Sequence, residues 1–222
     1  MAATSGALGS AERTAPQFVS WREFGLLELD PILTHALDAF SENGFHGATV
    51  RDLAGRVGVT VPALYYHYES KEAVLVTLLD AAVNDLVDRV TAAVADGRDD
   101  VVARFANAVD ALVLDMTHRA KRSALDSEVR HISPDNRRAY AATRKRLETI
   151  MLGLVRGGVD SRVFDVDDIE ETVRALLGMC RSVARWYRLD GPLTPDEVAR
   201  RYTVIALRIV GYAPDTPGDE GR

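Results

Sequence analysis

Cys180 is the only cysteine among the 222 residues, which excludes an internal disulfide framework and a cysteine-rich zinc site. Positive charge is in deficit: 27 Lys and Arg face 33 Asp and Glu, for a formal net charge of −6. A uniformly basic nucleic-acid coat is therefore excluded, and any DNA contact must come from a local patch. No apolar run approaches the ~18–20 residues of a membrane span. The stretch from Met1 to Ser20 lacks the cationic start and apolar core of a signal peptide. These absences predict a soluble, cytoplasmic protein with no membrane partner. G-x-S-x-G, P-loop and H-E-x-x-H motifs are missing too, and the 5 histidines are scattered, so no cofactor and no metal site are expected.

Strand signals are also scarce. Val, Ile and Thr rarely alternate with polar residues, while apolar residues recur at three- and four-residue spacing. With 47% hydrophobic and 27% charged residues the composition is that of an ordinary globular chain. The pattern predicts an all-α protein of nine helices. Residues 1–25, rich in Ala, Ser, Thr and Gly, read as a disordered tail, and residues 214–222, with Pro214, Pro217, Gly218 and Gly221, as a flexible one. Between them a helix-turn-helix domain is expected over 26–72 and an effector-binding and dimerisation domain over 73–213.

The first helix opens at Asp30-Pro31, carries Ile32, Leu33, Ala36, Leu37 and Phe40 on one face, and ends at Gly44. Thr49 caps a second, short helix through Val57, and Thr60 caps a third that reaches about Tyr68. Ser70 caps a long fourth helix to about Ala95, and a fifth follows from Val101 to Met116. A short sixth is expected over roughly 123–130 and a seventh from Ser133-Pro134 to Gly157-Gly158. The eighth should run from about Val166 to Leu189, and the ninth starts at Thr194-Pro195 with Glu197 completing a capping box.

The segment TVRDLAGRVGVTVPALYYH, residues 49–67, carries the function. Two short helices joined by a glycine-bearing turn have the helix-turn-helix geometry. Ala54 is small where the helices cross, Gly58 reverses the chain, and Val59 and Leu64 are expected to plug the angle between them. Thr60 at the cap leaves the helix N-terminus, with its free N–H groups and positive dipole end, for a phosphate.

At this point the chain resembles the TetR family of transcriptional repressors, over residues 31–79. Phe40, Gly44, Phe45, Thr49, Leu53, Ala54, Gly58, Val59, Leu64, Tyr65, His67, Tyr68, Lys71 and Glu72 stand at the family's typed positions, Tyr68 where phenylalanine is usual. The resemblance implies a dimeric regulator of double-stranded operator DNA, released by a small hydrophobic effector. It implies that Thr49 bonds a phosphate and that Thr60, Val61 and Ala63 approach base edges or backbone. It further implies that Tyr65, His67 and Lys71 grip phosphates while Tyr66 lies against sugar or base; Arg51, a cation on the second helix, joins this set. Between Glu28 and Glu72, however, 3 cations face 7 carboxylates, so few phosphate contacts per subunit are expected.

Beyond residue 80, the segment Arg185–Tyr202 (RWYRLDGPLTPDEVARRY) resembles repressors of fatty-acid and sterol breakdown, which implies a CoA thioester as effector. The run ALLGMC, Ala175–Cys180, is apolar all round, so one side can pair with a partner subunit and the other can face a pocket. Leu176, Leu177, Ile205 and Ile209 are expected at the dimer interface. Phe105, Met116, Tyr140, Arg144, Met151, Arg181 and Trp186 are expected to line the effector site, with the fourth helix carrying the signal to the DNA. Two alternatives stay open: a drug- or hydrophobic-compound-sensing repressor of an efflux pump, and a metal-dependent all-helical enzyme built on the acidic run Asp165–Glu171.

Overall fold

The computed structural model describes residues 20–25, 29–119, 121–122 and 125–213. Among them the chain forms eight α-helices and one 3-10 helix, with no strand. In order these are α1 (Pro31–Gly47), α2 (Val50–Val57), α3 (Val61–His67), α4 (Lys71–Asp96), α5 (Val101–His118), η1 (Leu125–His131), α6 (Pro134–Asp160), α7 (Ile169–Trp186) and α8 (Pro195–Ile209). The predicted seventh, eighth and ninth helices are thus α6, α7 and α8.

Local chemistry sets most of the boundaries. Asp30, Thr49, Thr60, Ser70, Asp100, Ser133, Asp168 and Thr194 each accept a first-turn backbone N–H through the side chain. Each satisfies a donor that the helix itself cannot. Gly44 breaks α1 with φ 68°, so its last turn, carrying Phe45, is set at an angle to the rest. Gly58 closes α2 at φ 80°, a left-handed conformation that an L side chain resists.

Two expectations change here. The short helix expected over 123–130 is a 3-10 segment over Leu125–His131, with 123–124 outside the described residues. Ser133 caps α6 just beyond it. The helix expected over 166–189 is shorter at both ends. Asp168 accepts from Glu171 N–H at 3.0 Å and so fixes the start. Tyr187 is extended at ψ 141° because its ring is buried and its hydroxyl donates to Leu193 O at 3.1 Å.

Two apolar clusters form. One gathers Ile32, Leu33, Phe40, Leu53, Leu64, Leu75 and Leu78 from α1–α4, together with Leu125, Ile132 and Tyr140. The other gathers Phe105, Leu112, Met151, Val155, Val173, Leu176, Val198 and Ala206 from α5–α8, with Leu86 and Val90 of α4. Each fully buried Leu or Phe contributes about 1.5–3 kcal/mol. Helix α4, about 39 Å long at 1.5 Å per residue, is common to both.

Residues 20–25 correct the expectation of a tail that reaches 25; residues 1–19 and 214–222 lie outside the described residues. Trp21 is buried and its Nε1 donates to Asp96 Oδ2 at 3.2 Å. Arg89 Nη1 donates to Trp21 O at 3.3 Å and Glu23 O at 2.8 Å, and Phe24 stacks on His118 at 4.5 Å. The segment is a strap held by side chains more than sixty residues away.

Candidate functional site

The helix-turn-helix is built as its spacing predicts. Leu53, Ala54 and Leu64 are buried where α2, α3 and α1 meet. Val59 is not: at 36% exposure it sits on the turn rather than in the angle, because the chain leaves Gly58 outward. On α3, Tyr65 and Tyr66 are 46% and 87% exposed, so both rings stand on the outer face of the helix. His67 is exposed and stands edge-on to the Tyr66 ring at 5.4 Å. Thr60 is exposed and caps Ala63 N–H at 3.3 Å, while Val61 and Ala63 are half-buried. The Thr49 hydroxyl already donates to Asp52 Oδ2 at 2.6 Å and accepts from Asp52 N–H, a closed capping box. A phosphate at Thr49 would have to displace Asp52.

Lys71 is corrected more sharply. Its ammonium is turned inward, donating to Phe45 O at 2.6 Å and Ala48 O at 2.8 Å, with Nζ 4.4 Å from the Phe45 ring centroid. Burial holds its pKa below the usual lysine range. Lys71 therefore ties α4 to the end of α1, because the carbonyls there would otherwise be orphaned. Of the other two cations, Arg56 pairs with Glu42 at 2.6 Å and Arg51 is exposed. Lys71→Ala should lower folding stability by about 1–3 kcal/mol, the cost of two carbonyls losing a charged donor. Tyr65→Ala should leave melting unchanged and weaken specific and random DNA alike. Paired thermal melts and DNA titrations of the two variants check both; an unshifted melt for Lys71→Ala would return it to the phosphates.

A cavity opens between α4, α5, α6 and α7. Leu79, Ala82, Val83, Leu86, Leu112, Met116, Leu147, Leu177 and Cys180 make its wall. Asp115 and Arg122 also line it, and Asp126, Tyr140, Arg144 and Arg181 are shared with a wider vestibule. The vestibule adds Arg137, Lys145 and Glu148. The inner cavity holds ≈ 70 Å³ and the vestibule ≈ 340 Å³. Burial pushes the Cys180 thiol up to about 12, so it behaves as a neutral apolar group.

Of the expected lining residues, Met116, Tyr140, Arg144 and Arg181 are brought together here. Phe105, Met151 and Trp186 are not. Phe105 packs edge-on to Phe164 at 5.2 Å and Met151 is fully buried in the same core, since their helix faces meet other helices rather than a gap. Trp186 is 46% exposed and stacks on Tyr202 at the outer surface. The interface set divides likewise. Ile205 and Ile209 are exposed, but Leu176 is buried within its own subunit and Leu177 faces the cavity. The outer face of α7 offers Ala175 and Gly178 in their place.

Sequence reasoning placed a short helix at η1 but assigned its residues no role in the site. Asp126 at its start accepts from Tyr140 Oη, and from Arg144 Nη1 at 2.8 Å, with Arg181 Nε at 4.0 Å. Two residues on, Glu128 accepts from Phe45 N–H at 3.0 Å, and His131 contacts His46 at 2.9 Å. Glu72 of α4 accepts from Ser133 N–H and Asn136 Nδ2, both at 2.7 Å. Helix α4 is therefore joined by a second link between cavity and helix-turn-helix. The acidic run Asp165–Glu171 serves α7: Asp168 is its cap and Glu171 pairs with Arg174. Among the described residues no group of three or more His, Cys, Asp or Glu converges as a metal would require. Nor is any described helix long and apolar enough to cross a membrane.

The bacterial regulatory proteins of the tetR family match residues 32–84, and the tetracyclin repressor-like C-terminal domain matches 98–210. The HTH-type transcriptional repressor KstR2 of Rhodococcus jostii (strain RHA1) is 31% identical over 184 residues, 79% of this chain and 87% of the relative. The crystal structure of the regulator PfmR from Thermus thermophilus is 32% identical, with a TM-score of 0.75 over 81% of this chain and 98% of that one. AibR, solved in complex with isovaleryl coenzyme A and operator DNA, is 20% identical and shares the fold, with a TM-score of 0.72 over 78% and 95% of the two chains.

Proposed function

Because the chain belongs to the TetR family of transcriptional regulators rather than to any enzyme family, we propose that it is a dimeric repressor released from a palindromic operator by an acyl- or sterol-derived CoA thioester. The observation that carries this is the two-part cavity. Its inner wall is apolar, which suits an acyl or sterol group, and its vestibule sets Arg137, Arg144, Lys145 and Arg181 against Asp126 and Glu148. An excess of cations at the mouth of an apolar pocket suits the phosphates of CoA. A sensor of cationic drugs would need an excess of free carboxylates there, whereas Asp126 is already held by two arginines and only Glu148 remains. The fatty-acid and sterol resemblance at Arg185–Tyr202 points the same way.

Family members bind operator DNA and small effectors, typically as dimers. Here Thr60, Val61, Ala63, Tyr65, Tyr66 and His67 of α3 and its cap would enter the major groove. Thr49 and Arg51 would stand at the phosphates beside them, and two such faces about 34–36 Å apart or somewhat further would read the palindrome. The inner cavity of ≈ 70 Å³ is far below the roughly 300–1,000 Å³ of a drug-sized site. A bulky tail must therefore spread α4 and α7, while phosphates compete with Asp126 for Arg144 and Arg181. Releasing Asp126 frees η1, and with it the grip of Glu128 on Phe45 beyond the Gly44 break.

Anisotropy of a labelled operator tests this. A medium-chain or sterol-acid CoA thioester should weaken DNA binding about 5- to 150-fold; the free acid and CoA alone should do far less. Glu128→Ala should still bind the thioester but lose most of the release. Equal release by the free acid would remove the CoA reading, and undiminished release from Glu128→Ala would remove η1 from the pathway.

A further inference from the structure

The inner end of the cavity holds charge that the thioester reading leaves unused. Arg122 and Asp115 are 4% and 2% exposed, and both line the apolar wall. Arg122 Nη2 donates to Asp115 Oδ1 at 3.1 Å, Asp85 Oδ2 at 3.1 Å and Ala82 O at 3.3 Å. Its Nη1 is buried and has no hydrogen-bond partner among the described residues. A charged donor left unpaired in an apolar wall is costly, and buried polar groups in folded proteins are almost always satisfied. Around it, Arg89, Arg119 and Arg122 share Asp85, and Arg122 also meets Asp115. Burial raises the Asp115 pKa, which makes that carboxylate a poorer counterion for Arg122.

We propose that Arg122 Nη1 reads an acceptor oxygen at the far end of the effector's hydrophobic part, so the effector is a thioester whose acyl group carries a second, distal carboxylate or ketone. The inference rests on the function proposed above and adds the inner polar group. A carboxylate would make a charge-assisted bond to the guanidinium; a ketone would satisfy the donor alone. The cavity geometry asks for a molecule polar at both ends: phosphates at Arg144 and Arg181, an oxygen at Arg122, and an apolar body between.

Calorimetry with three chain-matched CoA thioesters tests this: a plain acyl chain, its ω-oxo form and its ω-carboxy form. The wild type should bind the ω-carboxy form at least roughly tenfold more tightly than the plain chain, with the ω-oxo form between, because a buried donor rejects a ligand that cannot pair with it. Arg122→Lys keeps a cation for Asp85 and Asp115 but removes the second donor edge, and should erase the preference. Arg122→Met with Asp115→Leu removes cation and carboxylate together and should do the same. Equal binding of all three by the wild type overturns the distal-oxygen inference and leaves the thioester reading standing. A preference that survives in either variant overturns Arg122 as the reader. Binding of none of them overturns the thioester reading, and this inference with it.

Discussion

Ile205→Asp combined with Ile209→Asp should abolish tight operator binding while each subunit stays folded. Val204, Ile205 and Ile209 form an exposed apolar row on α8, continued by Trp186 on α7. On α7 the exposed Ala175 and Gly178 are small enough to let a second pair of helices approach closely. Two copies joined here would make a four-helix contact with two-fold symmetry. Aspartate in that contact would bury four unpaired carboxylates in the dimer, a penalty of several kcal/mol each unless the subunits part. The monomer does not suffer, because substitutions on an exposed face usually shift stability by under about 0.5 kcal/mol. Parting the subunits removes the linked second half-site, worth about 10²–10⁴ in apparent affinity. Sedimentation at micromolar concentration should show a monomer, and the operator shift should vanish. A dimer that persists in the double variant would place the interface on another face.

Asp85→Asn should lower folding stability by about 3–5 kcal/mol, the cost of removing one partner from a buried charge cluster. Asp85 Oδ2 lies 3.3 Å from Arg89 Nε, 3.6 Å from Arg119 Nε and 3.1 Å from Arg122 Nη2. Asparagine keeps the shape but removes the negative charge that the three guanidinium groups share. For a chain of this size the midpoint should fall on the order of 10 °C. The strap should loosen too, since Arg89 holds Trp21 O and Glu23 O only while Asp85 holds Arg89. Asp135→Asn, which breaks the exposed pair with Arg138, should cost less than about 1 kcal/mol. Thermal melts of the two variants side by side check the contrast. A fall of only a degree or two for Asp85→Asn would mean that Asp115 and solvent already compensate the arginines.

Much of the DNA-binding half was legible because its signals are local. Thr49 with Asp52, Thr60 before Val61-Pro62, and Gly58 at φ 80° each act within three or four residues, so spacing alone placed α2 and α3. What spacing could not show was where a side chain turns. Lys71 occupies the family's position, yet its ammonium serves two carbonyls more than twenty residues back. The strap was hidden for the same reason: Trp21 and Phe24 lie at the end of a stretch rich in Ala, Ser, Thr and Gly, and Arg89, which anchors them, is far along the chain.

In the effector half, helical periodicity identified apolar faces but not what those faces meet. Phe105 and Met151 meet neighbouring helices while Met116 meets the cavity, and the three are alike in pattern. Leu176 and Leu177 are adjacent, and one residue of helical rotation separates core from cavity. One signal was readable and passed over: Asp115 interrupts the apolar run Leu112–Met116, and a carboxylate on a buried face needs a buried cation.

Reciprocal titration tests the coupling most directly. A CoA thioester is titrated into the protein by calorimetry, once free and once saturated with operator DNA. Linkage demands that operator weaken thioester binding by the same factor by which the thioester weakens operator binding, about 5- to 150-fold. Matching factors in the two directions are the predicted result. Equal thioester affinity with and without operator would contradict the account, whatever the ligand's absolute affinity.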